Sequence, residues 1–380
     1  MNLILSKNIM LGNAVPDNNI KGLFGGVYRN RRVLVTGHTG FKGSWLCKWL
    51  EILGAKVVGY ALRPVTTPNH FDLSHLKLKA YFEDVRDYPT VKKVFSEFEP
   101  EIVFHLAAQP CVLASYDNPL QTFSTNIMGS VNILEASRHT NSVKAVVVVT
   151  TDKVYKNNEW IYGYRETDTI GGHDPYSSSK ACAELITESY RKSYSESSNN
   201  EVLIASARAG NVIGGGDWTE NRIITDVIKA ATKGEKVFLR NPKSSRPWQH
   251  VLEALSGYLL LGQKLHQNIL SAADSWNFGP ALESNLDVGE LVYQMKKKWG
   301  KISWENEMNA NAAYESKALM VDSSKANNLL GWRPVWDIEK TIHHTVDWYR
   351  KHLEESRVIT EEQIENYIAE AKVNNCIWAI

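Results

Sequence analysis

An α/β fold with a doubly wound parallel sheet is predicted by three features of this chain. Short apolar strands alternate with helical segments through its first half. The first strand runs directly into a glycine-rich turn that opens a helix. The run Val146-Val147-Val148-Val149 is apolar without alternation, the pattern of a strand buried on both faces.

Arg32 to Thr36 reads as the first strand, followed by Gly37-His38-Thr39-Gly40-Phe41-Lys42-Gly43. A helix is expected from about Ser44 to Leu53, stopped by Gly54. Ala55 to Ala61 is the second strand, Tyr81 to Val85 the third, and Glu101 to Leu106 the fourth. Residues 120–138 read as helical, and Ala145 to Thr150 as the next strand. Asp174 as N-cap and Pro175 at the first helical position open a helix over 176–194. Val202 to Arg208 continues the sheet, and Trp276 to Gly279 adds a late strand. Parallel strands joined through helices imply right-handed crossovers.

From Gly214 the texture becomes loop-rich. Residues 212–254 and 282–350 are read as a smaller C-terminal lobe closing over the sheet, which occupies 31–211 and about 255–281. Residues 1–30 form an N-terminal extension longer than the fold needs, and 351–380 a helical tail. In that tail a helix is expected over 360–374, with Thr360 and Gln363 as a capping box and Ile364, Tyr367, Ile368 and Ala371 on one face.

The 380 residues are 43% hydrophobic and 22% charged, an ordinary globular balance. A net charge of +1 gives no electrostatic case for nucleic acid or an anionic membrane as partner. Cys47, Cys111, Cys182 and Cys376 form no Cys-x-x-Cys pair, so metal and disulfide readings are weak and a reducing compartment is expected. No signal peptide or membrane span stands out, and a cytoplasmic location is expected.

Gly37, Gly40 and Gly43 let the backbone turn tightly, so that N–H groups approach a pyrophosphate at the positive end of a helix. The alternative is a structural turn without ligand. No acidic residue closes the second strand, where Tyr60-Ala61-Leu62-Arg63 stands, so this position leaves NAD and NADP open. Asp84-Val85 sits where an adenine contact is expected, although Asp84 also suits a strand-end turn. Tyr176 and Lys180, four apart, share a helix face. Alone they would be read as surface amphipathicity. One crossover after Thr150-Thr151-Asp152-Lys153 they have a mechanism: the ammonium and the helix N-terminus lower the phenol's pKa, and the phenolate takes a hydroxyl proton as hydride leaves the same carbon. Lys180 would also hold the nicotinamide ribose. His105 and His250 are expected to be structural hydrogen-bonders.

The glycine turn, Tyr176-x-x-x-Lys180 and the regions of Asn211 and Arg246 resemble the extended short-chain dehydrogenases/reductases over roughly residues 30–350. This implies a Rossmann sheet with a substrate-binding lobe. Thr151-Asp152-Lys153 is similar to the active-site triplet of the nucleotide-sugar 4,6-dehydratases. Most of these carry Thr-Asp-Glu, and the branch acting on CDP-glucose carries Asp-Lys. The strings Gly37 to Leu46, Arg208 to Trp218 and Arg246 to Val251 resemble the same branch.

The resemblance implies NAD as cofactor. It would be held by Gly37, Thr39, Gly40, Phe41, Lys42 and Gly43, by Arg63, Asp84 and Val85, and by Leu106, Ala107, Ala108, Gln109, Thr150, Tyr176 and Lys180. CDP-glucose is the implied substrate. Tyr176, with Thr151, would deprotonate the C4 hydroxyl, and Asp152 would protonate the leaving C6 hydroxyl. Lys153 would act at C5, either as a neutral base or as an ammonium steadying the enolate. Asn211 would meet the sugar or diphosphate and Arg246 the diphosphate, with Arg222, Arg240, Trp218 and Trp248 as weaker lobe candidates. A homodimer or homotetramer is implied through helices 120–138 and 176–194, with Ile127, Val131 and Leu134 on a packed face that could equally be intramolecular. One departure is Leu113, which stands where the family commonly has arginine.

Overall fold

The computed structural model describes residues 20–195, 202–281, 284–306 and 319–380. Most of the N-terminal extension and two pieces of the expected lobe, 282–283 and 307–318, lie outside the described residues.

Seven strands among the described residues form one sheet: β1 (Arg32–Thr36), β2 (Lys56–Ala61), β3 (Lys79–Phe82), β4 (Ile102–His105), β5 (Ala145–Val149), β6 (Leu203–Arg208) and β7 (Ser275–Asn277). Their order is β7-β6-β5-β4-β1-β2-β3, and every neighbouring pair is parallel. The expected doubly wound sheet is therefore present. β5 divides its side chains as a twice-buried strand must: Val146 and Val148 enter one core, Ala145, Val147 and Val149 the other.

Helices cover both faces. α1 (Phe41–Ile52) follows β1, and α2 (Tyr88–Phe98) lies on the opposite face with α3 (Gly129–Arg138). α3 continues a helical run from Pro119 through a π turn at Ser124–Met128. α4 (Pro175–Tyr190) starts as the sequence predicts, with the Asp174 side chain accepting from Ser177 N. α5 (Ile223–Lys233) belongs to the loop-rich half. α6 (Val251–His266), buried almost all round, backs the sheet against β4, β5 and β6. α7 (Ile338–Glu355) and α8 (Thr360–Val373) finish the chain. Leu134 packs into the α2–α3 side of the core, so that residue serves an intramolecular contact, while Ile127 and Val131 are half-buried. No described helix is long and apolar enough to cross a membrane.

Three local expectations are corrected. α1 begins at Phe41 rather than Ser44, because the chain turns into the helix as soon as Gly40 is passed. β3 ends at Phe82, where its pairing with β2 ends at Ala61, and 84–87 form a turn. The Thr360–Gln363 capping box does not form. Thr360 Oγ1 instead meets His70 Nε2 at 2.8 Å and accepts from Trp348 Nε1 at 3.0 Å, while Gln363 Nε2 donates to His344 O at 2.7 Å. The expected apolar face of α8 is real: Ile364, Tyr367, Ile368 and Ala371 are fully buried. The face packs on α1 through Trp49, and Trp378 stacks on Phe24, so the two ends of the described chain meet over the sheet.

Glu253 anchors this closure. In the first turn of α6 its carboxylate accepts from Val335 N at 3.0 Å, Trp336 N at 2.7 Å and Tyr367 Oη at 2.7 Å. Burial pushes it up to about 7 from an ordinary 4.5. Between those values the folded chain keeps a proton that the unfolded chain has released, so stability falls as pH rises through this window, by on the order of 3 kcal/mol at most. Thermal midpoints measured from pH 5 to 8 should decline in the native protein and flatten in Glu253→Gln. Parallel profiles for the two proteins would refute the assignment.

Candidate active site

A cavity of about 1450 Å³ opens along the C-terminal ends of β1, β2, β4, β5 and β6, above the point where β1 is flanked by β2 on one side and β4 on the other. Open parallel sheets bind ligands at such a switch point. The volume exceeds what one small molecule fills and suits two extended ligands side by side.

The glycine turn lines one wall. Gly37 has φ +73, and a Cβ there would sit 2.7 Å from Ala107 N, so only glycine lets β1 pass this close to the chain after β4. A Cβ on Gly43 would fall 2.1 Å from Gly37 O. Gly40 offers no side-chain cap to α1, which leaves first-turn N–H groups directed at the cavity. A dinucleotide pyrophosphate fits this cradle. Thr39, Gly40, Phe41, Lys42, Arg63, Asp84, Val85, Leu106, Ala107, Ala108 and Thr150 also line the cavity, as expected. Thr39 Oγ1 donates to Leu62 O at 2.9 Å, and the Arg63 guanidinium lies over the Phe82 ring at 4.4 Å. Asp84 is paired with Arg86, whose hydrogen bond holds it below the usual carboxylate range. Thr150 gives its hydroxyl to Glu184. Gln109 departs from expectation. It lies off the cavity wall, its amide bonded to Cys111 N, Cys111 O and Thr122 Oγ1.

Thr151, Asp152, Lys153, Tyr176 and Lys180 come together at the end of β5. Thr151 Oγ1 donates to Asp152 Oδ1 at 2.9 Å, and Asn211 Nδ2 donates to Asp152 Oδ2 at 3.1 Å. Asp152 rests on Gly210, where a Cβ would meet its Oδ2 at 1.9 Å. Lys153 is half-buried in the cavity wall, and among the described residues its ammonium has no hydrogen bond or ion pair. Tyr176 is fixed through its backbone N–H, which donates to Ser115 Oγ at 3.2 Å. Burial pushes the phenol up to about 12. Thr151, by a hydrogen bond, and the Arg222 guanidinium pull the other way, and Asp152 and Asp174 add to the rise. The expectation that Lys180 lowers the phenol is corrected in its geometry: Lys180 Nζ donates to Val149 O at 2.9 Å, into the strand. Burial pulls Lys180 down to about 8, opposed by Glu184.

The far wall carries the substrate candidates Asn211, Trp218, Arg222, Arg240, Arg246 and Trp248. Asn211, at φ +50, reaches the Asp152 carboxylate, a partner that the sequence did not pair with it. Arg222 Nη1 bonds Asp217 Oδ2 at 2.8 Å. Arg246 lies in a two-strand ladder, Ser245–Pro247 against Asn285–Asp287, and is only 6% exposed, so its guanidinium is not a surface group. Trp248 Nε1 donates to Leu286 O at 3.0 Å, and Trp218 packs edge-on against Tyr349. Leu113 lines the cavity mouth. His105, bonded to Thr36 and Ser130, and His250, accepting from Leu252 N, are structural as expected.

Sequence reasoning assigned Lys42 to the cofactor and missed that it also belongs to this charge cluster. Its Nζ lies 3.3 Å from Tyr258 Oη, and burial, then Arg222 and Lys180, draw it down to about 7 against Asp152 and Asp217. Asp217 and Gly210 were quoted only inside a longer string, since neither signals a role until the chain folds. Gly210→Ala should push the Asp152 carboxylate off its seat. The expected outcome is a loss of turnover of at least about tenfold with the fold intact by circular dichroism; wild-type turnover would show that the close approach is unimportant.

A profile of the GDP-mannose 4,6 dehydratase family matches residues 34–345. The CDP-glucose 4,6-dehydratase of Salmonella typhimurium strain LT2 is 44% identical over 350 residues, 90% of this chain and 97% of that protein. UDP-glucose 4-epimerase of Thermus thermophilus, solved in complex with NAD, superimposes with a TM-score of 0.72 at 26% identity, over 84% of this chain and 99% of that one. The dTDP-glucose 4,6-dehydratase of Bacillus anthracis, also with NAD, reaches 0.71 at 23% identity over 85% and 98%, a likeness of fold. With the profile match running from β1 to within α7, the chain belongs to the GDP-mannose 4,6 dehydratase family.

Proposed function

We propose that this chain is an NAD-dependent 4,6-dehydratase that converts CDP-glucose to CDP-4-dehydro-6-deoxyglucose. The observation that carries the reading is the Asp152–Lys153 pair beside Thr151 and Tyr176 at the end of β5. An epimerase or reductase of this fold needs the phenol and the ammonium but no elimination pair. The 44% identity to a CDP-glucose 4,6-dehydratase supports the same nucleotide.

The chemistry that NAD supplies in the glycine cradle is hydride acceptance from C4 and its return to C6. The remaining work falls to side chains. Tyr176, with the Thr151 hydroxyl beside it, takes the C4 hydroxyl proton. Once C4 is a ketone, the C5 proton is acidified and water can leave across C5 and C6. Asp152, held by Thr151 and Asn211, donates the proton that makes the C6 hydroxyl a leaving group. Lys153 serves the C5 side, where a carboxylate stands in most of the family. As a neutral amine it removes the proton; as an ammonium it holds the enolate. Arg222 and Arg246 supply positive charge for the diphosphate. Keeping its four cysteines free, the chain suits a reducing cytoplasm, where it would act as a homodimer or homotetramer in deoxysugar synthesis.

Incubation with CDP-glucose and NAD should yield the 4-keto-6-deoxy product. Turnover of another nucleotide sugar instead would overturn the choice of nucleotide, and no turnover of any would overturn the reaction. Tyr176→Phe should lower kcat by about 10²–10⁴ while leaving cofactor affinity near wild type; unchanged turnover would remove the phenol from the mechanism. Lys153→Arg keeps a charge that cannot be shed near neutral pH. Retained elimination in that variant assigns Lys153 to the enolate, and its loss assigns Lys153 to the C5 proton.

A further inference from the structure

We propose that Glu184 is a positioning residue for this reaction: a buried carboxylate, fixed by Arg208, that keeps Lys180 an ammonium beneath the active site. Glu184 lies one turn beyond Lys180 on α4, on the same face, and is 3% exposed. Its carboxylate has three donors from two strands. Thr150 Oγ1, at the end of β5, donates to one oxygen. Ser206 Oγ at 2.6 Å and Arg208 Nη2 at 2.9 Å, both on β6, donate to the other. Arg208 is itself locked, because its Nη1 donates to Tyr155 Oη at 2.7 Å and Tyr155 Oη donates to Asn277 Oδ1 at 2.7 Å. The carboxylate therefore cannot swing, and it joins α4 to the two strands whose ends carry Thr151, Asp152 and Asn211.

Such an arrangement has a cost that a merely structural contact would not justify. Two charged groups out of water give up much of their hydration, and an apolar pair of similar volume would serve packing as well or better. The charge is retained where a third buried charge needs it. Lys180 is that charge. It is fully buried, and its visible hydrogen bond is to a neutral carbonyl, Val149 O. The groups facing it from other elements do not help. Lys42 of α1 is a cation that repels it, and His105 of β4 is held neutral by burial. Asp152 takes its hydrogen bonds from Thr151 and Asn211 rather than from Lys180. Burial pulls Lys180 down to about 8, and the opposing influence is Glu184. Burial also acts on Glu184, but Arg208, Ser206 and Thr150 outweigh it and hold the acid below its usual range, so the carboxylate is ionised. Removing its charge would let Lys180 lose its proton near neutral pH, and with it the ammonium that would meet the cofactor ribose.

The inference rests on the 4,6-dehydratase reading for its kinetic arm and not for its spectroscopic one. In Glu184→Gln, supplied with NAD and CDP-glucose, the alkaline limb of the kcat/KM–pH profile should move down by about one unit, and kcat/KM at pH 8 should fall about tenfold. Glu184→Asp, which keeps the charge, should bring the limb back toward the wild-type position even if kcat is lower. Limbs that coincide in wild type and Glu184→Gln would overturn the proposal. Should Glu184→Gln fail to fold, the unsubstituted protein still decides. A 13C titration of lysine-labelled enzyme, with Lys180 assigned by the signal lost in Lys180→Met, should show an ammonium at pH 7. A Lys180 already neutral at pH 7 would overturn the proposal, whichever nucleotide sugar the enzyme turns over.

Discussion

The hydrogen bond from Lys180 Nζ to Val149 O, 2.9 Å long and out of solvent, joins the helix that carries Tyr176 to the strand that leads into Thr151, Asp152 and Lys153. Tyr176 and Lys180 stand on α4, and Thr151, Asp152 and Lys153 follow β5 directly. Without a contact between those elements, the two halves of the chemistry would sit on parts free to shift by more than the sub-ångström tolerance of proton transfer. The sheet supplies the rigidity: β5 is buried on both faces and paired on both edges, with β4 and β6.

Around that contact the site is a balance of buried charges. Three cations, Lys42, Lys180 and Arg222, stand near the carboxylates of Asp152 and Asp217 on the cavity wall, with Glu184 behind Lys180. Desolvation lowers both amines toward neutrality and raises the phenol, and fixed partners restore part of each. The outcome is a pair of amines, Lys42 at about 7 and Lys180 at about 8, whose protonation can change near neutral pH. Backbone placement matters as much as charge. Gly210 leaves Asp152 the room it occupies, and Gly37 and Gly43 let α1 close down on the turn that receives a pyrophosphate.

Much of this was legible before folding, and particular residues show why. The four valines of β5 declare a twice-buried strand because no polar residue interrupts them, and Asp174-Pro175 marks a helix start through its local hydrogen bond and fixed φ. These are signals within a few residues. What no local pattern announced was a partner far along the chain or across a turn. Thr360 abandons the expected cap because His70 and Trp348, far away in sequence, offer better-buried partners. Gln109 turns from the cavity to satisfy Cys111 and Thr122. Asn211 meets Asp152 across 59 positions of sequence, which no local pattern announces.

By itself the sequence determined the sheet, the glycine cradle, the Tyr176–Lys180 spacing and the Thr151-Asp152-Lys153 triplet, because each is written in neighbouring residues whose conformational preferences are local. The tertiary structure decided where the charges stand relative to one another. Only the packed chain brings Lys42 within reach of the charges of Asp152 and Asp217, Glu184 behind Lys180, and Glu253 under the closing helix. The physical reason is the range of the forces. Strand and helix preferences act over a few residues, whereas desolvation and charge pairing depend on what lies within a few ångströms in space, which the order of residues does not specify.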